Sequence, residues 1–141
     1  MRFQRIVPGL LEVFVVASLV LGTGCGKQEQ MMAASGRTPA ADGGISFERG
    51  DNGNTEVEVK VKHLAPPGRL APDATIYLVW VDVEGVGVQS VGALELDDDL
   101  VGELEFVTPH RVFRVFVTPE ASRTVATPSH RAVFSADVDA R

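Results

Sequence analysis

From Thr55 to Lys62 the chain reads Thr-Glu-Val-Glu-Val-Lys-Val-Lys, a period of two that sets Val57, Val59 and Val61 on one face and Glu56, Glu58, Lys60 and Lys62 on the other. That pattern predicts a strand with one buried face. Upstream, Ile45 to Arg49 leads into Asp51-Asn52-Gly53, and an Asn-Gly pair between alternating segments predicts a hairpin. Thr75 to Val83 is apolar on both faces, as in a central strand covered by the core on one side and by long side chains or a partner on the other. Glu84-Gly85 then turns into Val86 to Leu96, where Gly87 and Gly92 interrupt the alternation and predict a bulge or a twisted edge. Val101 to Val107 points Leu104 and Phe106 inward, and Arg111 to Thr118 does the same with Phe113, Val115 and Val117. Arg131 to Asp139 buries Ala132, Phe134, Ala136 and Val138.

These segments make seven strands, no stretch shows a helical period, and turn signals recur every 8 to 12 residues. The predicted fold is all-β, a seven-stranded antiparallel immunoglobulin-like β-sandwich over 45–141. The two cysteines of the antibody-type inter-sheet bridge are absent from the sequence. Thr108-Pro109, Thr118-Pro119 and Thr127-Pro128 read as strand-ending turns.

The N-terminal segment has a different pattern. Arg2 and Arg5 precede an uncharged run, Val13 to Leu21, with the shape of a bacterial signal peptide over 1–24. Its nine residues cover about half of a roughly 30 Å hydrocarbon core, and a longer span would place Glu12 in lipid. Leu21-Gly22-Thr23-Gly24-Cys25 resembles the lipobox of bacterial lipoproteins, which implies that the Cys25 thiol is acylated and becomes the new N-terminus. The alternative is an ordinary cleavage site, with Met32-Ala33-Ala34 as one small-residue cut. Gly26 stands where lipoproteins held in the inner membrane often carry aspartate, so the resemblance implies the outer membrane or cell surface, facing the periplasm or outside. Residues 25–44 lack periodicity and aromatics and are rich in Gly, Ala, Ser and Gln, which predicts a flexible, disordered tether.

The remaining composition mainly excludes. Cys25 is the chain's single cysteine, so the domain has no disulfide, thiol nucleophile or cysteine metal site. From Gly44 onward 9 basic residues face 16 acidic ones, a balance of −7 that opposes nucleic-acid binding and gives no basic patch for anionic lipid. Membrane association is expected through the Cys25 anchor alone. No cofactor is predicted and no metal site: Met31-Met32 lacks a partnering ligand, Asp51, Asn52 and Asn54 do not fit a calcium loop, and His63, His110 and His130 are dispersed. Ser122 and Ser129 lie near His130 without an activating acid, so the chain reads as non-catalytic.

If every strand reverses direction, the turns near Asn52, Gly85 and Pro109 share one end. The connections 64–74, 97–100 and 119–130 share the other, and rigid sandwiches present function on such loops. The candidate contact residues are Pro66, Pro67, Arg69, Asp97, Asp98, Asp99, Glu120, Ser122 and Arg123. By the same counting the tether enters beside these loops and holds them toward the membrane. The expected role is binding an envelope protein or supporting envelope structure, and the alternative is a calcium- or small-ligand-binding accessory domain using the same three connections.

Tyr77-Leu78-Val79-Trp80-Val81, Val91-Gly92-Ala93-Leu94, Val115 to Glu120 and Pro128-Ser129 together resemble the extracytoplasmic C-terminal domain of anti-sigma-K-type factors. The resemblance implies a similar β-sandwich used outside the cytoplasm.

Overall fold

The computed structural model describes residues 26–141, so the signal-peptide segment and Cys25 lie outside the described residues. Two antiparallel sheets form an all-β sandwich. The strands are β1 (Gln28–Met31), β2 (Ala33–Ala34), β3 (Asp42–Arg49), β4 (Thr55–Lys62), β5 (Ile76–Val83), β6 (Gly87–Leu94), β7 (Gly102–Thr108), β8 (Val112–Glu120) and β9 (Phe134–Asp139), with a single-turn helix α1 (Pro67–Leu70). One sheet has the order β1-β3-β4-β7 and the other β2-β9-β8-β5-β6. Among the described residues no helix is long and apolar enough to cross a membrane.

The alternating segments pack as their pattern dictates. Ile45, Phe47, Val57, Val59, Val61 and Phe106 of the first sheet meet Tyr77, Val79, Val81, Val115, Val117, Phe134 and Val138 of the second in one core. In the β3–β4 turn Gly53 adopts φ +80, a conformation that favours glycine, and its N–H donates to the Gly50 carbonyl at 2.9 Å. At the opposite end Gly43 lies flat against Phe134, where an added Cβ would stand 2.7 Å from the ring. Opposite the Gly92 region the β5–β6 register shifts between Val79 and Trp80, the predicted irregularity.

Two expectations are corrected. The described residues form nine strands instead of seven, because the stretch read as a disordered tether forms β1 and β2, and β3 begins at Asp42, three residues before the predicted Ile45. β1 pairs with β3 from Gln28 opposite Phe47 to Met31 opposite Gly44, and β2 pairs Ala33 with Ser135 in the other sheet. Between them Met32 is 4% exposed in the core, and its N–H donates to the Gly43 carbonyl. The strand thus crosses from one sheet to the other and covers the edges of β3 and β9.

The second correction concerns direction. β3 starts at the end that carries the 64–74, 97–100 and 119–130 connections, here the upper end, since Asp42 opposes Lys62. β1 runs antiparallel to β3, so Lys27 emerges at the lower end, beside the Arg49–Asn54 turn, and not beside the upper loops. The C-terminus is also there, with the Ala140 N–H donating to the Arg111 carbonyl at 2.7 Å.

The single tyrosine reports on the core. Tyr77 is fully buried, its hydroxyl donates to the Ala65 carbonyl at 2.5 Å, and burial pushes its pKa above the usual 10.0. A raised folded pKa contributes stability below the unfolded value that is lost as pH rises past about 10. Tyrosinate absorbance is therefore expected to appear together with unfolding on alkaline titration, and its appearance in a fully folded protein would contradict this packing.

Candidate functional site

On β8, Phe113, Val115 and Val117 face the core, so Phe116, Thr118 and Glu120 lie on the outer face beside Leu78 and Trp80 of β5. This is the face whose apolar pattern called for a cover. Leu78 and Trp80 are 1% and 0% exposed although they point away from the main core. The cover comes from the upper loops: Thr75 Oγ1 donates to the Ala121 carbonyl at 2.8 Å, His130 Nε2 stands 3.2 Å from Asp73, and Ala71 and Ala74 are buried.

A buried polar chain fastens the loop over this face. Trp80 Nε1–H donates to Thr118 Oγ1 at 2.8 Å, Thr118 Oγ1–H donates to Glu120 Oε1 at 2.6 Å, and the Ser129 N–H donates to the same oxygen at 2.9 Å. Trp80 stacks on Phe116 with ring centroids 6.4 Å apart. Glu120 is 0% exposed and its Oε2 has no hydrogen-bond partner among the described residues. Glu120 was expected on the contact surface; it is instead an internal clasp, because β8 continues through Pro119 to Glu120. A proline is tolerated there because β9 pairs only as far as Val117, leaving β5 as the one neighbour of Pro119. Glu120→Ala would strand the Thr118 hydroxyl and the Ser129 amide. A loss of about 1–3 kcal/mol in urea unfolding is expected, with faster hydrogen exchange at Ser129.

The remaining contact candidates do gather at the upper end. Pro66, Arg69, Asp97, Asp98, Asp99, Ser122 and Arg123 are exposed, and Pro67 is half-buried. Pro66, Pro67 and Asp97 line a cleft of about 440 Å³ floored by Ile76, Leu94, Leu96 and Leu100. Glu95 stands on its rim, ion-paired with Arg123, so the third loop closes against the second. The Leu64 N–H donates to the Leu100 carbonyl at 3.3 Å, and His63 and Leu100 both hold positive φ, 56° and 59°. Two non-glycine residues kept in this sparsely populated region show how firmly the first two loops are pinned.

The polar side chains at this end engage one another and the backbone. Asp97 Oδ1 accepts from the Asp99 and Val101 amides, both at 2.9 Å, so this carboxylate organises its own turn. His130 has in Asp73 an acid that the sequence pattern did not place, while Ser122 Oγ is 3.0 Å from Thr124 Oγ1. Sequence reasoning also missed a carboxylate group on the outer face of the other sheet, where Glu58, Glu103 and Glu105 bring oxygens within 4.8 Å of one another. Lys27 pairs with Glu58 at 3.2 Å and Lys60 with Glu103 at 3.5 Å, which makes this a solvent-facing charge ladder. The β4–β7 register, Glu58 opposite Glu105, was the signal that could have found it. Neither a protein-family model nor a curated protein matches the chain.

Proposed function

We propose that this protein is a non-catalytic, lipid-anchored module of the bacterial envelope that binds another envelope protein through its upper loops. The observation that carries the reading is the cleft between the first two loops. Its apolar floor of Ile76, Leu94, Leu96 and Leu100 suits an extended segment with apolar side chains, and the exposed Asp98 and Asp99 of the adjoining loop suit basic ones. The order of the strands supports an immunoglobulin-like arrangement: β4 pairs with β7, and β5 with β8, each across the intervening chain. The signal-like run ending at Cys25 supports export and acylation.

Two measurements on protein from native membranes test the proposal. The N-terminal peptide is expected to begin at acylated Cys25, and an unmodified terminus further along would remove the anchor. Photoreactive groups placed at Pro66 or Asp98 in intact cells are expected to give one discrete adduct that a group at Glu56, on the outer sheet face, does not give. Identical adducts from all three positions would overturn the assignment of the binding surface.

A further inference from the structure

We propose that the lower end of the sandwich rests on the lipid surface, so that the upper cleft is held away from it. The proposal builds on acylation of Cys25 and adds an orientation. Cys25 precedes the first residue of β1 by three positions, which allows at most about 10 Å of extended chain. A flexible tether over 25–44 would let the domain rotate freely; this short link does not. Because β1 begins opposite Phe47, the link leaves the domain at its lower end.

The surface there has the matching character. Among the described residues five large hydrophobic side chains are exposed, and four lie at that end: Val86 in the β5–β6 turn, Val88 opposite Asp82, Val107 opposite Glu56, and Val112 at the start of β8. Charge at this end is mixed, with Arg49, Arg111, Asp51, Glu84 and Asp139 all exposed. The acidic Asp97–Asp99 turn is at the far end, where anionic headgroups do not repel it. Apolar side chains around a tethered end fit the headgroup boundary of a bilayer.

The acylated full chain, reconstituted in vesicles of phosphatidylethanolamine and phosphatidylglycerol, tests this. The Cys25 thiol is consumed by acylation, so Val86→Cys, Val112→Cys and Ser122→Cys each offer one site for a fluorophore. A quencher carried on lipid headgroups is expected to dim the label at 86 and at 112 and to leave the label at 122 unchanged. Unquenched labels at 86 and 112, or quenching at 122 alone, would overturn the orientation. The N-terminal peptide mass from the same sample separates the two failures: unacylated Cys25 removes the anchor and the orientation together, whereas acylated Cys25 with unquenched labels at 86 and 112 removes the orientation only.

Discussion

Replacing Trp80 by alanine is expected to cost about 3–5 kcal/mol, a large part of the stability of a domain this size. The indole is fully buried on the outer face of its sheet, stacks on Phe116 and donates to Thr118. Its loss removes the apolar contact beneath the covering loop and leaves the Thr118 oxygen without its donor. The denaturation midpoint should fall sharply, and the loop amides from 121 to 133 should lose exchange protection before the core does. Trp80→Phe keeps a ring against Phe116 and gives up only the donor and part of the area, so its loss should be distinctly smaller. A midpoint nearly unchanged in Trp80→Ala would mean that the loop does not pack on this face.

Met32→Ala should cost about 2–5 kcal/mol, because the side chain is buried in the main core at the point where the N-terminal strand changes sheets. A residue in a flexible tether would give a change within about 0.5 kcal/mol. Urea unfolding of the variant therefore decides between an integral strand and a linker. Exposed Met31 is the built-in control, and Met31→Ala should leave the midpoint nearly where it was.

These two residues show what the sequence could and could not reveal. Strands with one wet face, such as Thr55 to Lys62, are legible because burial alone imposes the alternation. In β1 every side chain is exposed and the strand is held through its backbone, so no side-chain pattern records it. Composition then mimics a linker. The upper loops were legible as a group because strand reversal fixes which connections share an end. Glu120 was not, since Thr118-Pro119 looks like a strand terminator and an acidic residue after it looks like solvent-exposed loop. The double-sided apolar pattern of β5 did indicate a cover, but only tertiary structure could show that the cover is the chain's own 64–74 and 121–133 loops. The exit direction of the N-terminus failed for the same reason as β1, because one unseen strand reverses the counting.

The sheet switch at Met32 also sets an order of events during folding. β2 comes early in the chain, yet its partner in the sheet is β9, the last strand among the described residues. Closing a loop of nearly the whole domain is entropically slow, and contacts of such separation delay folding. The N-terminal strand is therefore expected to stay half paired along β3 until β9 is in place, and a chain truncated before Phe134 leaves the switch at Met32 open.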